Sequence, residues 1–398
     1  MSPDAITRRE FLKSGSAAGL AAGLALHVSA GMAAPPGDRK LRVGWVGTGG
    51  RGRHLLGHVL KMDNLEVVAI CDITPDNLDK GLEMVEEKTQ KRPEASGDTP
   101  YAYRKLIARD DIDCVVIATP CYWHTTMYID CLKEGMPVYG EKPLAITAWE
   151  LKEIQAVRKQ HPDVVLQVGT QWGSNEQFAD IIKQVREGAI GDLWDGRFRR
   201  YGDWDGFKGW FTERDKSGDW MLEQAVHEFN LMYWLTQTNP AKCTAVGRSG
   251  IIPDRDTTSF YTALLEYPDP LKNFVIRYTH TFIEVPDFDE GGWSYKVVGS
   301  KGGANLTPPS PYIQLRDKSG DNGGKIEAKG NAGDTYEHLA NFFDCVRAGT
   351  PDKVNSGLAS GVGATTIGLM IRQSVEKKAP VTYEETLADT RKPPLPSA

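Results

Sequence analysis

The stretch Leu41-Arg-Val-Gly-Trp-Val-Gly-Thr-Gly-Gly-Arg-Gly52 decides the fold of this chain. An apolar run ends at Gly47, and Gly47, Gly49 and Gly52 then follow the spacing G-x-G-x-x-G. This spacing lets a strand turn tightly into a helix while its backbone approaches a pyrophosphate, which the free N–H groups of the helix N-terminus bind. In a chain with 41 glycines such a triplet can also be an ordinary loop, so its surroundings decide its meaning.

The segment that follows supplies the surroundings. The next predicted strand, Leu65–Asp72, ends in an acid about 20 residues after the last glycine, where a carboxylate can accept hydrogen bonds from the ribose hydroxyls of NAD. Strand, glycine turn, helix, strand and acid fall in the order of a dinucleotide site. Asp72 favours NAD because a carboxylate repels a 2′-phosphate, although the neighbouring Arg53 leaves NADP possible. The residues expected to hold the dinucleotide here are Gly47, Gly49, Gly50, Arg51, Gly52 and Asp72.

Length and composition are those of a globular protein with two or three domains. The chain has 398 residues, of which 40% are hydrophobic and 25% charged, enough for sizeable cores. A net charge of −6 gives no reason to expect a nucleic-acid partner. The six cysteines are scattered without a C-x-x-C pair, and no group of His, Cys and carboxylate residues has the spacing of metal ligands, so no metal site is predicted.

The N-terminus has the layout of an export signal. Thr7–Lys13 contains paired arginines followed by Phe-Leu-Lys, and a mildly apolar, Ala/Gly-rich segment runs from Ser16 to about Ala34. This layout is typical of a twin-arginine signal peptide, and its short apolar part, interrupted by His27, argues against a membrane anchor. We expect residues 1–34 to be removed near Ala34 after the twin-arginine translocase has exported the protein to the periplasm or beyond. A disordered basic tail is the alternative.

Export would constrain the chemistry. The twin-arginine route moves folded proteins, so a dinucleotide can cross inside its site, whereas no pool of free NAD is available outside the cytoplasm. An exported dehydrogenase would therefore bind its cofactor tightly. It would reset the cofactor with a second substrate or return the hydride within each turnover.

Residues 38–160 alternate between strands and helices, as in a doubly wound parallel sheet. Asp113–Thr119 is an unbroken apolar run typical of a buried parallel strand, and it ends at Pro120. The strand Pro137–Gly140 leads directly into Glu141-Lys142-Pro143. Open α/β sheets bind ligands beyond the carboxyl ends of their strands, so further dinucleotide contacts are expected there. These are Thr119, Pro120, His124 and Glu141.

Residues 161–385 differ in character and predict a second, α+β domain. Three longer strand-like runs are joined by hairpin-sized links at Pro268-Asp-Pro270 and Asp287–Gly292, which indicates a largely antiparallel sheet. Asp317–Gly333 is predicted to be a surface loop. Two late helices can pack back on the nucleotide domain, and 386–398 is expected to be an irregular tail. The predicted strands are Ser259–Tyr267, Phe274–Phe282 and Ser294–Gly299, and the late helices are Tyr336–Ala348 and roughly Leu358–Lys377.

Together these landmarks resemble the glucose-fructose oxidoreductase, inositol dehydrogenase and rhizopine-catabolism family, written Gfo/Idh/MocA. The resemblance rests on the glycine turn, the Thr119-Pro120 edge, Glu141-Lys142-Pro143, the Gln167-Val-Gly169 strand and His227 on a helix of the second domain. It implies a Rossmann domain whose cofactor is enclosed by a second domain with an open, mostly antiparallel sheet. In that family the lysine of the triplet lies beside the nicotinamide and contacts the substrate hydroxyl, a role that would fall to Lys142. We also expect a homo-oligomer.

Elementary chemistry supports a role for Lys142. An alcohol carbon gives up hydride readily only if its hydroxyl proton departs, and a simple alcohol is too weak an acid to lose that proton unaided. A fixed ammonium stabilises the developing alkoxide while a nearby base takes the proton. A lysine that merely caps a strand end is the alternative.

The base is expected on the predicted helix Met221–Leu235. At about 100° per residue, Glu223, His227 and Asn230 share a polar stripe beside an apolar one, as on a helix that lines a cleft. His227 can titrate near neutrality and take the proton, Glu223 would orient it, and Asn230 would bind a substrate hydroxyl. Many relatives have Asp at both flanking positions, so this chain departs from the family pattern there. A structural role for His227 is the alternative.

Several aromatic residues are candidates for contact with a sugar. Trp172, Trp204 and Trp210 could stack on a sugar face or pack in a core or lid. Tyr122 and Trp123 follow a strand edge and are candidates to border the nicotinamide.

The sequence therefore predicts an exported oxidoreductase that retains NAD or NADP and acts on a hydroxyl of a sugar, glycoside or polyol. One rival from the same family is a redox-neutral glycosidase, which oxidises the sugar transiently, eliminates the aglycone and returns the hydride. Members of that branch often lack the lysine that Lys142 supplies. A non-catalytic sugar-binding protein is the third possibility.

Overall fold

Two β-sheets, one in each half of the chain, organise the computed structural model. The structure describes residues 39–203, 206–271, 273–284, 292–316, 323–333 and 335–395. The predicted signal peptide and Trp204 lie outside the described residues.

The first sheet has six parallel strands in the order β3-β2-β1-β4-β5-β6, and its order reverses between β1 and β4. The apolar runs of β1 and β4 are buried because helices cover both faces of the sheet. The strands are β1 Leu41–Val46, β2 Leu65–Cys71, β3 Glu94–Ser96, β4 Cys114–Ile117, β5 Val138–Gly140 and β6 Leu166–Val168; the helices are α1 Gly50–Val59, α2 Pro75–Thr89, α3 Tyr103–Ile107, α4 Cys121–Lys133 and α5 Ala148–Gln160.

The second sheet has nine strands in the order β14-β13-β12-β11-β7-β10-β9-β8-β15. Only β7 and β10 pair in parallel; the other neighbours in this sheet are antiparallel. The strands are β7 Leu193–Tyr201, β8 Lys242–Ser249, β9 Thr258–Glu266, β10 Val275–Thr281, β11 Trp293–Gly299, β12 Gly302–Asn305, β13 Tyr312–Leu315, β14 Lys325–Glu327 and β15 Val381–Thr382; the helices are α6 Glu176–Arg186, α7 Arg214–Ser217, α8 Trp220–Glu223, α9 Val226–Thr236, α10 Thr335–Ala348, α11 Leu358–Lys377 and α12 Tyr383–Leu387.

This architecture confirms the predicted fold class, a Rossmann sheet plus an α+β domain with a mostly antiparallel sheet. The late helices also contact the first sheet. In α10, Phe342 packs edge-on against Tyr139 of β5, with ring centroids 5.9 Å apart. Gln167 Nε2 of β6 donates a hydrogen bond of 2.6 Å to the carbonyl of His338. The last part of the chain thus ties the two domains together.

Some local predictions were wrong. The strands on either side of Asp287–Gly292 do not form the predicted hairpin, since β7 lies between β10 and β11; residues 287–291 themselves lie outside the described residues. A short strand, β14, occurs within Asp317–Gly333, which was predicted to be a surface loop, and β3 occurs before α3, where no strand was predicted. These short strands have few buried side chains, so no alternation of apolar residues marks them in the sequence. In the described ranges, no helix is long and apolar enough to cross a membrane.

The largest correction concerns the predicted helix Met221–Leu235, which is two helices with a break between Glu223 and Val226. The backbone N–H groups of Gln224 and Ala225 both donate to the carbonyl of Trp220, so the chain makes a wide turn here. Wide turns of this kind within helices are frequent at functional sites.

Candidate functional site

A cavity of about 670 Å³ lies between the carboxyl edge of the first sheet and the helices α8 and α9. It opens where the strand order reverses, the place at which doubly wound sheets bind ligands. Most of the predicted site residues line it: Gly47, Gly49, Gly50, Arg51, Asp72, Thr119, Pro120, His124, Glu141, Lys142, Trp210, Glu223 and His227.

The glycine turn forms one wall of the cavity. Gly47 has a φ of +90°, and a Cβ at this position would lie 2.6 Å from the carbonyl oxygen of Ala118. A Cβ at Gly52 would lie 2.1 Å from the carbonyl oxygen of Gly47, so this glycine lets α1 approach β1. Gly52 therefore stabilises the turn but does not form part of the cavity wall, since it is not among the described residues that line the cavity.

The residues between these two glycines leave room for a ligand. A Cβ at Gly49 or Gly50 would meet no atom of the described chain within 4 Å. Gly49 precedes α1 and offers no side-chain cap, so the first N–H groups of α1 face an anion site. Open space at a helix N-terminus is the environment that a pyrophosphate requires, and the turn therefore fits a dinucleotide.

Asp72 is fixed to this turn. Its Oδ2 accepts a 2.7 Å hydrogen bond from the backbone N–H of Thr48, and its Oδ1 accepts one of 2.8 Å from the backbone N–H of Thr74. The carboxylate remains partly exposed at the cavity. It is thus placed at the end of β2, where a ribose would bind.

His124 links the two loops that follow β4 and β5. It is fully buried, with Nε2 2.8 Å from the carbonyl oxygen of Thr119 and Nδ1 2.9 Å from that of Pro143. Burial lowers the pKa of its imidazole. The side chain holds the Glu-Lys-Pro segment against the Thr119-Pro120 edge, and a bound dinucleotide would contact a wall that His124 has made rigid.

Arg51 and Glu141 form an ion pair across the cavity, with 2.7 Å between Nε and Oε1. Burial opposes the charge of Glu141, but the guanidinium of Arg51 and the ammonium of Lys142 outweigh it and hold the pKa of this carboxyl below its usual value. The pair joins the glycine turn to the segment that carries Lys142.

Lys142 points at the second domain and pairs with Glu223 at 2.7 Å between Nζ and Oε1. The two side chains are only 13% and 6% exposed. Lys142 also donates to the backbone carbonyl of Glu223. Glu223 therefore holds the lysine, whereas the sequence pattern suggested that it would orient His227.

His227 follows the break between α8 and α9 and is half-buried at the cavity. Its Nδ1 is buried and has no hydrogen-bond partner among the described residues. Trp172 packs against the ring, with centroids 5.4 Å apart. Burial, followed by the positive charges of Lys142 and Arg200, lowers the pKa of the imidazole well below its usual value. His227 is therefore neutral at pH 7 and can accept a proton, although it does not titrate there as expected.

Two predicted substrate-binding residues lie elsewhere. Asn230 is buried, and its Oδ1 accepts a 2.9 Å hydrogen bond from Ser360. Trp172 is 9% exposed and packs among Phe178, Tyr295 and His227 in the core of the second domain. Neither is among the described residues that line the cavity. Asn230 lies one turn after His227 on α9, where the side chain of Ser360 on α11 covers it.

Aromatic side chains close one side of the cavity. Trp210 stacks on Phe211 at 3.8 Å, and both line the cavity together with Phe207. Tyr122 and Trp123 line it from the nucleotide domain. Flat apolar surfaces of this kind suit the C–H faces of a sugar ring.

Sequence reasoning missed two glutamines of the lining. Gln171 lies in a short helical turn after β6, and its Oε1 is buried without a hydrogen-bond partner in the part of the chain that the structure describes. An unpaired buried amide oxygen is suited to accept a hydrogen bond from a ligand. Gln224 occupies the helix break. The only signal in the sequence for either glutamine was the position of Gln224 next to Glu223, a predicted catalytic residue.

The described residues contain no group of three or more His, Cys, Asp or Glu side chains that could hold a metal ion.

Comparison with protein families gives two matches. Residues 41–170 match the model of an oxidoreductase family with an NAD-binding Rossmann fold, GFO/IDH/MocA, and residues 178–305 match the GFO/IDH/MocA C-terminal domain. The first matched range contains the whole first sheet, and the second contains α8, α9 and the strands β7 to β12 of the second sheet.

Curated relatives include glycosidases. The chain is 31% identical over 210 residues to glycosyl hydrolase family 109 protein 1 of Shewanella sp. strain ANA-3, covering 48% of this chain and 45% of the relative. It is also 31% identical over 208 residues to an alpha-N-acetylgalactosaminidase of Shewanella oneidensis, with the same coverage. The chain thus spans about half the length of the curated relatives it matches.

Solved structures share the fold over nearly the whole described chain. A levoglucosan dehydrogenase in complex with NADH and levoglucosan aligns with a TM-score of 0.72 at 19% identity, over 87% of this chain and 100% of that one. The aldose-aldose oxidoreductase of Caulobacter crescentus, complexed with glycerol, aligns with a TM-score of 0.71 at 19% identity, over 86% and 100%. At this identity the likeness shows the fold alone.

Proposed function

From the premise that the chain belongs to the GFO/IDH/MocA oxidoreductase family, we propose that it is an NAD-dependent dehydrogenase-type enzyme acting on a hydroxyl of a sugar, glycoside or polyol. The observation that carries the proposal is the meeting of Lys142 and His227 in one cavity with the glycine turn. The solved structures with bound NADH, levoglucosan and glycerol support the substrate class.

Different side chains of the cavity have different roles in the proposed reaction. A bound NAD would supply the hydride acceptor, held by the glycine turn, Asp72 and the Thr119-Pro120 edge. The ammonium of Lys142 stabilises the negative charge that develops on the substrate oxygen. In water, without this cation, the free energy of forming that charge would be far too high. His227, neutral because it is buried, accepts the hydroxyl proton. The aromatic wall at Trp210 excludes water and packs on the sugar.

Replacing Lys142 tests the proposal. Lys142→Ala removes the ammonium but leaves the glycine turn and Asp72, so dinucleotide binding should persist while turnover falls by roughly 10²–10³-fold, as for loss of one oxyanion donor. The measurement is reduction of protein-bound NAD, followed by nicotinamide absorbance, with levoglucosan, D-glucose and myo-inositol as substrates. Lys133→Ala, at an exposed position near the end of α4, is the matched control. Unchanged turnover in Lys142→Ala would contradict the assignment.

A redox-neutral glycosidase is the second candidate. The observation that favours it is the 31% identity to proteins named as glycosyl hydrolases of family 109 and as an alpha-N-acetylgalactosaminidase. The presence of Lys142 favours the dehydrogenase. Product analysis with an aryl N-acetyl-α-galactosaminide separates the two: release of the phenol and of unoxidised sugar without an added acceptor would identify the glycosidase.

We further propose that the protein is exported by the twin-arginine route and retains its cofactor. The paired arginines Arg8 and Arg9 and the apolar segment after them support export. The Arg51–Glu141 pair and the aromatic side chains from Phe207 to Phe211 supply contacts on both sides of the cavity that would slow release. Incubation of the purified native protein with isotope-labelled NAD tests retention, and exchange within seconds would refute it. Fractionation of producing cells tests export.

A further inference from the structure

The break between α8 and α9 is held from behind by a buried arginine. Arg200 lies on β7, and its side chain is only 8% exposed. Its Nη1 donates a 3.2 Å hydrogen bond to the backbone carbonyl of Gln224, and its Nη2 donates another of 3.2 Å to Oε1 of the same residue. A guanidinium thus fixes both the backbone and the side chain of the residue at the break.

The fixed glutamine in turn orients Glu223. The Nε2 of Gln224 donates a hydrogen bond to Oε2 of Glu223, which leaves Oε1 to pair with Nζ of Lys142 at 2.7 Å. Both carboxylate oxygens are therefore engaged, one by each neighbour. The contacts form a continuous path from the second sheet to the lysine of the first domain.

Arg200 is itself tightly held. Its Nη1 lies 3.1 Å from Oε1 of Glu228, a residue whose side chain is fully buried. Tyr295 donates a 2.7 Å hydrogen bond to the same oxygen, and Arg200 lies over the ring of Trp293 at 4.8 Å. Burying an ion pair costs much of what the attraction returns, so stability alone does not account for it. The need to fix the geometry of Gln224 accounts for this buried ion pair.

We propose that Arg200 and Gln224 are positioning residues for Lys142, acting through Glu223. They hold the Glu223 carboxylate in the one orientation that pairs with the ammonium, and so keep Nζ at a fixed point of the cavity wall. The functional meaning of this position rests on the proposed role of Lys142, but the positioning itself does not depend on any substrate.

Competitive labelling with acetic anhydride tests the positioning without a substrate. A lysine whose Nζ is held against a carboxylate, with only 13% of its side chain exposed, reacts slowly with the anhydride. The rate of acetylation at Lys142, relative to the exposed Lys133, is read by peptide mass spectrometry. Gln224→Met removes the hydrogen bond that holds Glu223 and should release Nζ, which raises this ratio roughly tenfold, the effect of losing one charge-assisted hydrogen bond. Gln155→Met on α5 is the matched control and should leave the ratio unchanged.

A second substitution places Arg200 on the same path. Arg200→Lys keeps a positive charge beside Glu228 but cannot make both bonds to Gln224. It should raise the labelling ratio in the wild-type background and add less in the Gln224→Met background, where only its bond to the backbone carbonyl at this position remains to be lost. An unchanged ratio in Gln224→Met, or additive effects of the two substitutions, would overturn the inference. Neither result would bear on turnover in Lys142→Ala, so the proposed function is tested separately.

Discussion

The two halves of the cavity are built in different ways. The nucleotide half relies on backbone geometry and on contacts within one domain, such as those of Gly47, Thr48 and Asp72. The catalytic half relies on side chains that meet between domains, since Lys142 and Glu223 come from different domains. Backbone requirements restrict a position to glycine and leave a visible spacing. Side-chain pairs tolerate several residue types and leave no visible spacing in the sequence.

The largest expected effect separates the halves directly. His227→Gln keeps a polar side chain in the catalytic half but removes the proposed base, so turnover should fall by roughly 10²–10⁴-fold. Dinucleotide binding depends on the other half and should not change. Single-turnover reduction of bound NAD measures the first quantity, and quenching of tryptophan fluorescence by added NAD measures the second. His54→Gln, on the exposed face of α1, is the control. Equal loss of both activities would mean that the halves are not independent.

Gly52→Ala should instead damage the nucleotide half of the cavity. The new Cβ would lie 2.1 Å from the carbonyl oxygen of Gly47, which is backbone and cannot move aside cheaply. We expect the free energy of unfolding to fall by roughly 3 kcal/mol and NAD binding to be lost with the turn.

Gly57→Ala on the same helix is the control for Gly52→Ala. A Cβ at Gly57 meets nothing within 4 Å in the described structure, and alanine should stabilise the helix by about 0.5–1 kcal/mol. Urea unfolding of both variants gives the comparison. Similar stabilities would show that the glycine spacing is not a steric requirement.

This difference between the halves explains what the sequence could predict. The fold class and the wall formed by Gly47, Gly49 and Gly50 follow from periodicity and spacing, and both are present in the structure. The partner of Glu223 could not be predicted, because it depends on how two domains face each other. The position of Asn230 could not be predicted for a similar reason, because the residue that covers it, Ser360, comes from a helix about 130 residues later in the chain.

A smaller effect is expected at Asp72. Asp72→Asn retains an acceptor for the Thr48 N–H but loses the charge that we propose binds the ribose hydroxyls and repels a 2′-phosphate. NAD affinity should fall about tenfold, while NADP affinity should rise or stay constant. Titration with the two nucleotides measures both. Asp76→Asn, exposed in the first turn of α2, is the matched control. An unchanged preference would remove Asp72 from the nucleotide half of the site.

The smallest effect is a pH dependence confined to the catalytic half. Burial and the charges of Lys142 and Arg200 lower the pKa of His227 in the folded protein, whereas in the unfolded chain it is about 6.5. As the pH falls below about 6.5, the unfolded chain binds the proton first. His227 therefore lowers the free energy of unfolding by up to about 1.4 kcal/mol per pH unit until the folded-state pKa is reached.

His227→Gln isolates this contribution, because the other histidines whose pKa is lowered by burial, His124 and His280, are the same in both proteins. Urea unfolding of wild type and variant at about pH 7.5, 6.5 and 5.5 should show the wild type losing stability relative to the variant as the pH falls. The acid limb of kcat/KM should lie below about pH 6.5, since activity is lost only when the folded-state imidazole is protonated. A difference in stability that is constant with pH would mean that the cavity hydrates His227. Burial would then not be the reason why His227 is neutral.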